Sequence, residues 1–216
     1  MNFGYSPWRG DLSAGNSAKI GRLMKRQPAR VLEPADVRRL LMHVASHRHA
    51  TRNQVMVLAS FKAGLRACEI SGLTWPMVLK STGKISDRIV IPGSIAKYGS
   101  GRTIPMHNEL KKALQQHHGT CGRPLSGFVV RSERGGQLKP QSVVNWFGAV
   151  YRQMGICGAS SHSGRRTFVT TSARALSKVG GSLRDVQELA GHRALSTTER
   201  YIQGDRDAQR RLIAFI

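Results

Sequence analysis

Acidic side chains are scarce in this chain: 12 Asp and Glu stand against 34 Lys and Arg in 216 residues, a formal net charge of +22. No cluster of carboxylates able to hold a pair of metal ions is visible, so any chemistry on phosphate is expected to proceed without a metal or other cofactor. Cysteine is scarce as well. Cys68, Cys121 and Cys157 are odd in number and lack paired spacing, which excludes a disulfide framework or a Cys-based zinc site and predicts reduced thiols. No apolar run reaches the roughly 20 residues of a membrane-spanning helix. The N-terminus lacks the apolar core of a secretory signal, so the expectation is a cytoplasmic, soluble protein with no membrane partner.

The basic excess is what stands out among the residues present. A charge of one sign and this size repels itself in the folded state, and a polyanionic partner relieves that repulsion. The basic residues are spread along the chain rather than gathered in one amphipathic stretch, which favours nucleic acid over an anionic membrane surface. Residues 1–30, rich in Gly, Ser, Asn, Lys and Arg, read as a flexible basic arm able to follow a phosphate backbone. Residues 31–216 read as a single domain ending in a docking tail.

Within that domain the period is mostly helical. Pro34 suits the first turn of a helix with Val37, Leu40, Leu41 and Val44 on one stripe. A second helix over about 51–63 stops at Gly64, and Arg66 opens a short third one, with Ile70 and Leu73 inward and Glu69 one turn on. The period then changes. DRIVIP reads as a strand, and GSIAKYGSGRTIPM as a hairpin whose turn at 99–101 lies between Ile95 and Ile104, with Lys97 just before it. A helix from Met106 to Gly119 carries the neighbours His117 and His118, expected to be solvated or near phosphate. Another helix runs from Pro140 to about Met154, with Lys139 and Gln141 at its entrance.

Two stretches near the end carry the densest chemistry. In SSHSGRRTF, Ser160 or Ser161 can cap a helix, placing His162 and Arg165 in its first turn, where the helix dipole favours an anion. Phe168, Val169 and Leu176 supply its buried side. In LAGHRALSTTERYIQ, Gly191 stops one helix and leaves His192 in a turn. Ser196 and Glu199 have capping-box spacing, predicting a helix that starts at Ser196 and carries Tyr201 in its second turn. A lone tyrosine near a chain end is usually a packing residue. The company this one keeps points elsewhere.

The order Arg66, Lys97, His162-x-x-Arg165, His192, Tyr201, in these local contexts, resembles the catalytic domain of the tyrosine recombinases, the phage-integrase family. The resemblance covers about residues 31–203. It implies an α+β, mainly α fold with a small antiparallel hairpin on a helical core, and a DNA strand-transferring enzyme. In that family Arg66 and Arg165 would clamp the scissile phosphate, His192 would add a hydrogen bond and Tyr201 would be the nucleophile. Lys97 would protonate the leaving 5′-oxygen, His162 would act as base or orienting group, and Glu69 would hold the fold around Arg66. Lys139, Gln141 and Arg166 would touch DNA, with no metal. The implied partners are double-stranded DNA bearing recombination sites, further copies of the chain in a tetramer, and accessory DNA-bending or directionality proteins. Integration, excision and inversion all remain open. A type IB topoisomerase-like nicking and resealing enzyme is the nearest alternative in chemistry, and a non-catalytic DNA-binding protein the alternative from another class.

The sequence departs from the family at Gly164, where a leucine is usual and a packing contact is expected to be lost. Residues 1–30 are too short for the N-terminal helical domain that most members carry. The apolar tail residues Leu212, Ile213, Phe215 and Ile216 call for a groove, either on the chain's own body or on a neighbouring protomer.

Overall fold

The computed structural model of the chain describes Met1, residues 28–96 and 99–201, Arg210 and residues 213–215. Most of the N-terminal arm, Lys97, Leu212 and Ile216 lie outside the described residues. The helices are α1 (Pro34–Ala45), α2 (Ala50–Lys62), α3 (Ala67–Gly72), α4 (Asn108–Thr120), α5 (Pro140–Gln153), α6 (Ser163–Val179), α7 (Leu183–Ala190) and α8 (Leu195–Glu199). Strands β1 (Arg88–Ile91) and β2 (Arg102–Pro105) pair antiparallel, with Ile89 opposite Ile104. Among the described residues the fold is thus mainly helical, with a two-stranded antiparallel sheet. No helix among the described residues is long and apolar enough to cross a membrane.

Helix α2 is the axis of the molecule. Residues 55–61 are buried without interruption, so the helix has no solvent face there and must be surrounded. Helices α1, α4 and α6 surround it. Pro34 starts α1 as its ring predicts, and Leu40 and Val44 bury its inner stripe. A second, smaller core of Val169, Val186 and Ala190, with Phe168, Leu176, Leu183 and Tyr201 at its edge, joins α6 to α7.

Three expectations change on inspection of the fold. The first strand of the hairpin is the 88–91 run, not the segment through Ile95. Pro92 has no amide to donate, and the chain then turns, with the Ile95 amide bonded to Pro92 O and the Ala96 amide to Gly93 O. His117 and His118 are buried rather than solvated. Their rings face Trp75, and their Nε2 atoms bond Val129 O and Pro124 O, each at 2.9 Å. Cys68 and Cys121 are partly buried and Cys157 is exposed, all as free thiols.

Gly164 is the third, and it leaves no gap. A β-carbon there would lie 2.9 Å from Phe61 Cδ2 and closer still to Ser60, so the glycine lets α6 lie directly on α2. The leucine usual in the family has no room in this chain. Gly164→Leu is expected to destabilise the fold by at least about 1–3 kcal/mol, the cost of overpacking a filled core. Urea unfolding measures it, and an unchanged midpoint would show that the two helices can part.

Candidate active site

Helix α7 ends where the site is built. Gly191 adopts the left-handed conformation, φ 61°, and closes the helix, its amide and that of His192 bonding Glu188 O and Gln187 O. The last carbonyls of such a helix have no intrahelical donor and carry the negative end of its dipole. Here three arginines from three other elements supply the donors. Arg102 Nε bonds Leu189 O at 2.9 Å, Arg165 Nη2 bonds Ala190 O at 2.6 Å, and Arg66 Nη2 reaches Gly191 O at 3.5 Å. Consecutive carbonyls thus gather the arginines beside His192.

One carboxylate balances them. Glu69, with its side chain fully buried, accepts the Arg66 amide at 2.8 Å, Arg66 Nη1 at 2.9 Å, and both terminal nitrogens of Arg102 at 2.8 and 2.9 Å. Burial alone would raise its pKa, but the Arg102 guanidinium, then the amide and charge of Arg66, bring it below the ordinary carboxylate value. Glu69 thus bonds both the main chain and the side chain of Arg66, and a second arginine as well. Arg102 is the residue that sequence reasoning missed. A signal existed, because it shares a face of β2 with buried Ile104, and an arginine on the inward face of a strand needs a carboxylate.

Arg165 lies in the first turn of α6 and is only 6% exposed, with Nη1 on Gly64 O at 2.7 Å. Burial first, then the positive charges of Arg66 and Arg102, lower its pKa to about 9, which leaves it protonated at neutral pH. His162 differs from expectation. It occupies the N-cap position, exposed and just outside the first turn, and the cap is not a serine side chain. Ser160 Oγ accepts the His162 amide at 3.3 Å, ahead of the helix, and Ser163 Oγ accepts the Ser160 amide at 3.0 Å.

Helix α8 also differs. It starts at Leu195 after Ala194, makes no side-chain cap at Ser196, and ends at Glu199, so Tyr201 sits in the turn beyond it. The Tyr201 amide bonds Thr198 O, and its ring stacks on His192 with centroids 5.8 Å apart and planes 16° apart. Arg166, expected as a DNA contact, lies over the same ring at 5.7 Å. His192 has its pKa lowered to about 4, by burial and then by Arg165, Arg66 and Arg102, so its imidazole is neutral at physiological pH. Lys139 and Gln141 are exposed at the start of α5, where Gln141 bonds Asn145.

The structure thus brings together Arg66, Glu69, Arg165, Arg166, His192 and Tyr201 and adds Arg102. This arrangement of helices and hairpin is the fold of tyrosine-recombinase catalytic domains. The Tn1549 transposon integrase, solved with circular intermediate DNA, superposes with a TM-score of 0.66 at 18% identity over 89% of this chain and 67% of that one. The XerA recombinase gives 0.64 at 21% identity over 86% and 64%. The chain belongs to the phage integrase family, whose model matches residues 30–207. Among curated relatives, tyrosine recombinase XerC of Bradyrhizobium diazoefficiens is 33% identical over 156 residues, 69% of this chain and 45% of its own. The chain therefore spans about half the length of the curated relatives it matches.

Proposed function

We propose that this chain is a site-specific DNA recombinase that cleaves and rejoins double-stranded DNA through a 3′-phosphotyrosyl intermediate at Tyr201. The observation that carries this reading is the Tyr201 ring stacked on His192, beside the arginines gathered at the end of α7. Cleaving a phosphodiester builds negative charge on the non-bridging oxygens and expels an alkoxide. The guanidinium groups of Arg66 and Arg165 offer fixed positive forks for those oxygens, and neutral His192 offers one more donor. The Tyr201 oxygen attacks phosphorus, the bond to the 5′-oxygen breaks, and that oxygen takes a proton, for which Lys97 is the proposed source. His162 is the proposed acceptor or orienter of the tyrosine proton. In the return step a 5′-hydroxyl displaces Tyr201 and conserves the bond.

Lys139 and Gln141 are assigned to phosphate contacts outside the site, and the net charge of +22 suits the same polyanion. Residues 31–216 form the catalytic domain in this reading, with residues 1–30 as a DNA-following arm. Exchange between two sites calls for four copies of the chain, and accessory DNA-bending proteins would set direction. Among the described tail residues Ile213 and Phe215 are 72% and 91% exposed, which favours docking on a neighbouring protomer over docking on the chain's own body.

The test uses nicked suicide duplexes carrying the DNA that flanks the coding sequence. Wild-type protein is expected to form a covalent adduct that mass spectrometry maps to Tyr201. Exchange of a defined site pair supports recombination, whereas relaxation of supercoils without exchange would assign a topoisomerase. Because arginines supply the fixed positive charge, EDTA is expected to leave adduct yield unchanged. Strict dependence on magnesium would overturn that part of the mechanism.

A further inference from the structure

His192 can help a phosphate only if the hydrogen sits on the correct nitrogen. A neutral imidazole donates from one nitrogen and presents a lone pair at the other, and a lone pair turned toward a phosphate oxygen repels it. The ring here is neutral because burial and the charges of Arg165 on α6, Arg66 before α3 and Arg102 on β2 disfavour the cation. Something must then choose between the two tautomers.

The geometry points to Thr198, and we propose that it is a positioning residue that holds His192 with its hydrogen on Nε2 and sets the spacing of the His192 and Tyr201 rings. This rests on the recombinase reading above. Thr198 is fully buried, and its Oγ1 lies 2.9 Å from His192 Nδ1. A buried hydroxyl must place its hydrogen. In a helix the usual alternative is a carbonyl three or four residues back, but among the described residues His192 Nδ1 is the partner within hydrogen-bond reach of Thr198 Oγ1, and no backbone carbonyl bonds it. The Thr198 hydroxyl therefore donates to Nδ1. That nitrogen becomes the acceptor, and Nε2 carries the hydrogen on the side of the ring left for a ligand.

The same residue reaches the nucleophile through its backbone, since Thr198 O accepts the Tyr201 amide at 3.0 Å. One buried threonine thus holds the ring of one group and the main chain of the other, and the stacked pair follows. Gln187 completes the setting from α7. Its carbonyl takes the His192 amide and its side-chain Nε2 bonds His192 O at 2.9 Å, so the imidazole has no backbone freedom to turn away from Thr198.

The test reads tautomer and rate separately. In wild-type protein labelled with 15N-histidine, with His192→Gln used to assign its signals, His192 is expected to show a lone-pair-type Nδ1 and a protonated Nε2. Thr198→Val removes the donor and is expected to give a mixture of tautomers. On the suicide duplex it should slow cleavage about ten-fold or more, since an imidazole in the wrong tautomer is catalytically poor, with DNA affinity unchanged. Thr198→Ser should restore both. A wild-type Nδ1 that carries the hydrogen overturns the proposal even if Thr198→Val fails to fold. So does a folded Thr198→Val with unaltered tautomer and rate. If the wild type cleaves no duplex, the recombinase reading falls while the spectrum still decides what Thr198 does.

Discussion

Tyr201→Phe is expected to abolish covalent protein–DNA adducts completely while leaving duplex affinity unchanged. The ring, not the hydroxyl, makes the contacts with His192 and Arg166. Phenylalanine keeps that ring, its share of the small core, and the amide bond to Thr198 O. The substitution therefore removes the nucleophilic oxygen and nothing else that positions the segment. Denaturing gels read the adduct, and equilibrium binding of a labelled duplex reads affinity. Adducts that persist and map to another residue would remove Tyr201 from the mechanism. A loss of affinity together with the adduct would show instead that the hydroxyl serves binding.

The second large effect is expected at Arg165. Its two terminal nitrogens each bond a carbonyl, Gly64 O from the loop after α2 and Ala190 O from the end of α7. A lysine ammonium keeps the charge but cannot span both carbonyls and still face a phosphate oxygen. Arg165→Lys should lower the cleavage rate by about 10²–10³, the loss typical of one preorganised donor to a developing oxyanion. Single-turnover cleavage, measured well below each protein's melting temperature, separates this loss from destabilisation. A variant that melts normally and cleaves at the wild-type rate would show that the guanidinium fork is not a clamp.

Much of this site is local in sequence and could be found there. Gly191 ends a helix because only glycine readily takes its left-handed angle, and Pro34 begins one because its ring presets φ. Arg66 and Glu69 meet because they stand three apart at a helix start. Non-local pairings were hidden. Arg102 reaches Glu69 across 33 residues, while the nearest acid along the chain, Glu109, bonds Lys62 instead. Gly164 read as a lost side chain, because the residues that fill its place, Ser60 and Phe61, come from another helix. His117 and His118 looked polar and exposed until Trp75 covered them. The cap at Ser196 failed because the preceding turn begins α8 one residue early, at Leu195.

The division of the interior into a large core around α2 and a small one of Val169, Val186 and Ala190 has a consequence for how the molecule breathes. Segments that bury little apolar surface detach at a free energy below that of global unfolding. Residues 183–201 rest mainly on that small core and on the three arginine contacts, with Leu189 packed against the large one, so they are expected to open as a cooperative unit of their own. Their amides should exchange with solvent through partial opening while those of α2 wait for complete unfolding. Tyr201 would thus ride on a part of the fold that opens more readily than α2, and a phosphate held by Arg66 and Arg165 would latch that part shut.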